Sequence, residues 1–206
     1  LAGQICAKNF SNKIKRIGVI GTGTQAKLQV EYLKNITDSR DVMVWGRDDK
    51  KMDQYKHHME KIGFEVTFCK SPHEVASECN LIITATASKD YVLSNNDILA
   101  GTHINAIGSD TPSKRELGPG IIEKADLVIA DSIEQCKYRG EIACSIRDGN
   151  LNLDNVVELG DVLSEKISGR ESKSQITVSD LTGVAVQDIK IADSVYKRFM
   201  EDKNEI

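Results

Sequence analysis

Short apolar runs recur along the chain and alternate with longer amphipathic stretches. The runs "IGVIG" (17–21), "VMVW" (42–45), "VTFC" (66–69), "LIITAT" (81–86), "HINAIG" (103–108) and "LVIA" (127–130) have the length and β-branched content of buried strands. Helical periodicity fills residues 26–34, 49–62 and 71–78 between them. Runs this apolar, joined by crossovers this long, predict an α/β fold: a doubly wound, mostly parallel sheet with helices on both faces. A further strand, "ITVSDL" (176–181), follows the polar, linker-like "SGRESKSQ" (168–175). A last helix starts near Val184 and carries Ala185, Ile189, Ala192, Tyr196 and Phe199 on one stripe, the pattern of a helix that docks. At the other end, "LAGQICAKNF" sets Leu1, Ile5, Ala7 and Phe10 near helical spacing, as in the last turns of a helix, and further chain is expected upstream.

Composition narrows the function more than the fold. The 206 residues are 40% hydrophobic and 28% charged with a formal net charge of −4, and the lysines and arginines are scattered, so neither nucleic acid nor a membrane surface is an expected partner. No run approaches the length of a membrane span and no charged-then-apolar secretion signal is read at its start, so a cytoplasmic protein is expected. Cys6, Cys69, Cys79, Cys136 and Cys144 stand singly and read as buried reduced thiols. Of the histidines, His57 and His58 fall on a polar helix, His73 starts another, and His103 enters a strand as a satisfied structural residue. No metal-ligand spacing occurs, so no metal is expected. Trp45, the single tryptophan, is read as core at the sheet edge or as a neighbour of an adenine.

The chemistry begins at "RIGVIGTGTQAKLQ". Gly21, Gly23 and Ala26 follow a strand and open a helix, the G-x-G-x-x-A form of the Rossmann-type dinucleotide fingerprint. The first glycine permits the tight turn, the second lets a pyrophosphate approach the backbone, and the small third residue lets the helix pack on the strand with its N-terminal N–H groups toward phosphate. The second strand exits into Gly46 and Arg47. Asp41 lies before that strand, not at its end where a ribose-binding acid would stand. A guanidinium in that place suits a 2′-phosphate, which favours NADP(H), with NAD(H) as the alternative. The segment "INAIGSDTPSKREL" (104–117) leaves its strand through Gly108 and presents Asp110 beyond the carboxyl edge, where open α/β sheets bind ligands. There Asp110 is either a proton carrier for an amine or imine, or a residue that braces an Asp-Thr-Pro turn.

Taken together, "GTGTQA", "TATAS", "HINAIGSDTPSKREL", "ADLVIADSIEQCKYRGEI" and "TVSDLTGVAVQDIKIA" resemble the ornithine cyclodeaminase/mu-crystallin family along nearly the whole chain. The resemblance implies a Rossmann-type cofactor domain over residues 12–183. Residues 1–11 would be the remnant of an inter-domain helix, and residues 184–206 a C-terminal helix returning to an N-terminal substrate and dimerisation domain outside this sequence, so the full-length protein is expected to be a homodimer. By similarity, Gly21, Thr22, Gly23, Thr24 and Gln25 grip the pyrophosphate, and Gly46 and Arg47 take the adenosine ribose. Thr84, Ala85, Thr86 and Ser88 run under the cofactor, Gly108 leads into the site, and Thr182 and Gly183 close beside the nicotinamide.

The same resemblance makes Asp110 the catalytic candidate, acting at the α-carbon of a small amino acid from which hydride leaves to give an imine. Cyclodeamination, alanine dehydrogenation and reduction of a cyclic imine share that step; the resemblance implies an NAD(P)-dependent ornithine cyclodeaminase-like enzyme, with an NADPH-dependent ketimine reductase or an alanine dehydrogenase-type oxidoreductase as the alternative. Arg47 points toward the NADPH-dependent reductases, whereas "SDTPSKREL" is closer to the bacterial cyclodeaminase-like proteins than to mu-crystallin, whose segment lacks the aspartate. The family's carboxylate-binding arginines and its active-site lysine belong to the N-terminal part, and the isolated domain is expected to be inactive. Lys114 and Glu116 read as surface or loop-bracing residues without an assigned role. A protein that binds NADPH without turnover, and a Rossmann-type domain serving only in assembly, are the readings from other classes.

Overall fold

Apolar residues fill consecutive positions of most of the predicted strands, so both faces of those strands must be covered. The computed structural model describes residues 1–150 and 153–204. Its strands are β1 (Ile17–Ile20), β2 (Asp41–Trp45), β3 (Glu65–Phe68), β4 (Leu81–Thr84), β5 (His103–Ala106), β6 (Leu127–Ala130), β7 (Val156–Glu158) and β8 (Thr177–Asp180). They form one sheet in the order β3-β2-β1-β4-β5-β8-β6-β7, with every neighbouring pair parallel. Strand β3, at the sheet edge, is buried at only one of its four positions. The chain winds outward from β1 to β3, then crosses back to β4 on the other side of β1. The junction of β1 and β4 is therefore the switch point, and its carboxyl edge is where such sheets hold ligands.

Alternation along the strands sorts the side chains into two layers. Ile17 and Val19, with Val42, Val44, Leu81 and Ile83, pack against α1 (Ala2–Phe10), α2 (Thr24–Leu33) and α3 (Asp49–Lys61) through Ala7, Val30, Leu33, Tyr55 and Met59. On the opposite face Ile20, Ile82, Ile104, Val128 and Val178 meet α4 (Pro72–Glu78), α5 (Ile121–Lys124), α6 (Ile133–Cys136) and α7 (Glu141–Arg147) through Val75, Ile121, Ile122, Cys136 and Ile142. Two more helices, α8 (Leu159–Leu163) and α9 (Ala185–Asn204), flank β7 and end the chain. The five cysteines are buried and free.

His103 is fully buried in a polar spine beneath α1. The Asn105 amide nitrogen donates to the Gly3 carbonyl at 2.9 Å, so its oxygen accepts from His103 Nε2 at 3.0 Å, and His103 Nδ1 lies 2.7 Å from the Thr177 hydroxyl. Burial drives the imidazole pKa down to about 3, and Arg170 nearby adds to the effect.

The predicted strands and the three longer predicted helices occur within a few residues of their expected ends. The helix predicted from Ala26 starts two residues earlier, at Thr24, with Gly23 in the N-cap position but no side-chain cap. The sequence predicts neither β7 nor the short helices α5 to α8, of three to seven residues; segments of three to five residues cannot display a 3.6-residue period, and α7 lacks the Ser-Pro start that marks the equally short α4. Nor does it place β8 between β5 and β6, a pairing fixed by tertiary contact. Along α9, Val186, Ile189, Val195 and Tyr196 are more than half exposed.

Candidate functional site

At the end of β1 the chain turns through Gly21 at φ +111°, a conformation that L side chains rarely adopt, while its N–H donates to the Trp45 carbonyl at 2.9 Å. A Cβ at Gly21 would also run into the Ala85 carbonyl. Gly23 differs: its backbone is ordinary extended chain, and a Cβ there would meet nothing within 4 Å. It would project into a groove of about 530 Å³ lined by residues 21–25, 45–48, 85–88 and 107–108, with Lys51, Asp110 and Lys114. The start of α2 carries no side-chain cap, whereas α3 is capped by Asp48 and α4 by Ser71. The first-turn N–H groups of α2 are thus available to an anion in the groove.

The far end of the groove carries Arg47 and Lys51 together with Asp48. Arg47, just beyond β2, donates to the Ser88 hydroxyl at 2.6 Å, which itself donates to the Asp90 carbonyl at 2.7 Å. This contact joins the exit of β2 to the loop after β4. Lys51 lines the same end, and Trp45 forms part of the wall while packing on the core beneath.

At the near end, Asp110 follows β5 and is paired with Lys114 at 2.6 Å, its side chain 52% exposed. A second cavity of about 270 Å³ opens there, with walls that include Gln25, Gln29, Ile107, Asp131, Thr182 and Gly183. Asp110 and Gln25 border both spaces. The loop after β8 is held against Asp131, which accepts from the Gly183 N–H at 2.7 Å and the Thr182 hydroxyl at 3.1 Å.

Buried carboxylates support these loops. Glu116, with no exposed surface, accepts from the Thr86 N–H at 2.5 Å, the Thr84 hydroxyl at 2.7 Å and the Gly108 N–H at 2.8 Å. Glu141, at the start of α7, accepts from the backbone N–H groups of Glu116 and Leu117 at 2.8 and 3.0 Å. Asp180 accepts from the Ile142 N–H at 2.9 Å. Burial raises all three carboxyl pKa values, that of Glu141 to about 7, against the downward pull of the donors.

Of the residues singled out in the sequence, Gly21, Thr22, Gly23, Thr24, Gln25, Gly46, Arg47, Ala85, Thr86, Ser88, Gly108 and Asp110 line the groove. Thr84 lies buried below it with its hydroxyl on Glu116. Thr182 and Gly183 border the second cavity rather than the groove. Lys51, Asp131 and Glu141 were not singled out. Lys51 carries only a helical-face signal, and the other two enter through pairings with residues 51 and 24 to 25 positions away. Among the described residues, no three His, Cys, Asp or Glu side chains cluster in a way that could hold a metal ion.

The sequence pattern of the ornithine cyclodeaminase/mu-crystallin family matches residues 2–203. An alanine dehydrogenase of Archaeoglobus fulgidus is 37% identical over 198 residues, which are 95% of this chain and 61% of that protein. Among solved structures, an archaeal alanine dehydrogenase dimer with bound NAD superposes with a TM-score of 0.93 at 34% identity, over 98% of this chain and 63% of that one. A Δ1-pyrroline-2-carboxylate reductase of Thermococcus litoralis, in complex with NADH and L-proline, does so with a TM-score of 0.93 at 25% identity, over 98% and 64%. The chain thus spans about three fifths of the length of these relatives.

Proposed function

The chain belongs to the ornithine cyclodeaminase/mu-crystallin family, and from that premise we propose that it is the nicotinamide-dinucleotide domain of an enzyme transferring hydride at the α-carbon of a small amino acid, or back onto the corresponding cyclic imine. One observation carries the reading: Asp110 stands where the glycine-turn groove meets a second cavity, so one carboxylate borders the space for a dinucleotide and the space for a substrate. The groove suits the cofactor on this chain's own geometry, since Gly23 leaves open space at the uncapped start of α2. When bound, a nicotinamide cofactor supplies the hydride acceptor or donor. The first-turn N–H groups of α2 hold the pyrophosphate, and Ala85, Thr86 and Gly108 floor the groove. Asp110, kept in place by Lys114, takes or returns the proton at the substrate nitrogen as the carbon–nitrogen bond gains or loses double-bond character. Gly183, held by Asp131, closes the second cavity.

Arg47 and Lys51 at the adenosine end support NADP(H) over NAD(H), although Asp48, the cap of α3, lines the same end. That preference fits net oxidoreduction rather than cyclodeamination, which returns the hydride and leaves the cofactor unchanged. The exposed apolar residues of α9 support a further reading, that residues 1–11 and 184–206 dock on a substrate-binding, dimerising domain while residues 12–183 hold the cofactor. The test is a titration of this chain with NADPH and NADH side by side, followed by quenching of Trp45. Saturable binding with NADPH the tighter is expected; binding of neither would remove the cofactor assignment, and equal binding would remove the 2′-phosphate role of Arg47.

A further inference from the structure

Two loops floor the near half of the groove, one carrying Ala85 to Ser88 after β4, the other Gly108 to Asp110 after β5. Among the described residues, Glu116 is the side chain whose hydrogen bonds reach both from below. Glu116 accepts from Thr84 at the end of β4, from Thr86 on the first loop and from Gly108 on the second, and it has no exposed surface. Its backbone is fixed in turn: its N–H and that of Leu117 donate to Glu141, and its carbonyl accepts from Val92 and Leu93. The carboxylate is therefore a spacer of set height between an anchored backbone and two loops. The fit is tight, since a Cβ on Gly108 would meet both the Glu116 carboxylate and the Thr86 carbonyl.

We propose that Glu116 is the positioning residue that sets the spacing of the Thr86 and Asp110 loops, and so seats the nicotinamide end of the bound dinucleotide against Asp110. This rests on the cofactor assignment made above. Glu116 touches neither ligand nor solvent and acts only through the two loops. The adenosine end, at Arg47 and Lys51, is carried by β2 and α3 and makes no direct hydrogen bond to Glu116; it meets the first loop through Arg47 on the Ser88 hydroxyl. Acceptor capacity is the essential property. Two backbone N–H groups and a hydroxyl converge on two oxygens, and an amide in the same place offers one oxygen and one NH2. Thr84 can turn its hydroxyl, but a backbone N–H cannot reverse, so Glu116→Gln sets a donor against Thr86 or Gly108 and forces the loops apart.

The experiment compares parent and Glu116→Gln chains, each titrated with NADPH and with adenosine 2′,5′-bisphosphate, which fills only the adenosine end. For a variant that still unfolds cooperatively, we expect about tenfold weaker NADPH binding and adenosine bisphosphate binding unchanged within about twofold. Equal weakening of both would reduce Glu116 to a general structural residue, and no weakening of either would dismiss the role outright. If Glu116→Gln does not fold, Thr84→Val decides, since it removes one donor at constant shape. A NADPH-selective loss of roughly threefold is then expected, and its absence overturns the proposal. A parent chain that binds neither ligand would count against the cofactor assignment itself, a result distinct from any of these.

Discussion

Gly23→Val separates the folding role of the glycine turn from its binding role. At φ −77° and ψ −176° the backbone of Gly23 suits a β-branched residue, and nothing lies within 4 Å of the position its Cβ would take. The stability cost is confined to a poorer helix cap, about 1 kcal/mol or less, partly offset by a stiffer unfolded chain. For a chain of this size that is a Tm change of about 2–4 °C at most. The same side chain fills the space in front of the first turn of α2. Loss of two charge-assisted hydrogen bonds between phosphate and backbone N–H, each worth about 1.5–3 kcal/mol, corresponds to a roughly 10²- to 10⁴-fold rise in Kd. Gly21→Val is the control: there the positive φ and the Ala85 carbonyl oppose any side chain, so stability itself should fall by several kcal/mol, on the order of strain plus overpacking. The assays are thermal unfolding and isothermal titration with NADPH on each variant. A folded Gly23→Val chain binding within about threefold of the parent would refute the argument that the open space at Gly23 is where phosphate sits.

Arg47→Ala removes the guanidinium at the adenosine end and should weaken NADPH by about tenfold or more while changing NADH little; parallel losses in a paired titration would withdraw the 2′-phosphate contact. Asp110→Asn, placed in the complete enzyme, should lower kcat by roughly 10²- to 10⁴-fold at nearly constant cofactor Kd, and unchanged turnover would return Asp110 to a turn-bracing role. His103, neutral in the fold with a pKa near 3 against an ordinary 6.5, binds its proton only on unfolding across that window. Its stabilising effect is therefore complete above pH 6.5 and is lost as the pH falls, by about 2 kcal/mol at pH 5. Glu141, raised to about 7, acts with the opposite sign, gaining stability as the pH falls from about 7 toward 4.5. The His103 share is isolated by comparing urea midpoints of parent and His103→Gln at pH 6.5 and 5. The parent should lose more, and parallel losses would show that His103 does not titrate as its burial requires.

What the sequence made legible follows the range of the interactions involved. The β1 turn could be read because its parts are consecutive: an apolar run, Gly21 and Gly23, and the small Ala26 against the strand. Seven of the eight strands could be read because most are buried on both faces and rich in β-branched or apolar residues; β3, exposed at three of its four positions, was read from its short β-branched and aromatic run. Strand β7 was missed, having only three residues and standing at the sheet edge. Arg47 and Asp110 were found because each follows a strand directly, so proximity in sequence stands for proximity to the carboxyl edge. The supporting residues have no such marker. Glu116 meets residues 8 to 32 positions away, and Glu141 meets residues 24 and 25 away.

That contrast bears on how the site is built. Asp110 and Glu116 lie six residues apart in the polar segment "SDTPSKREL", and nothing local distinguishes one acid from the other. The fold separates them. Asp110 emerges at the mouth of two cavities with a lysine beside it, while Glu116 turns under the sheet edge and keeps no exposed surface. A buried carboxylate without donors would cost several kcal/mol, and here three donors, from the end of β4 and from the two loops, meet it. Two of those donors are backbone N–H groups that the ends of parallel strands would otherwise leave unpaired. The open carboxyl edge that admits a ligand thus also creates the need that Glu116 meets, and the residue that satisfies the loops is placed to set their spacing.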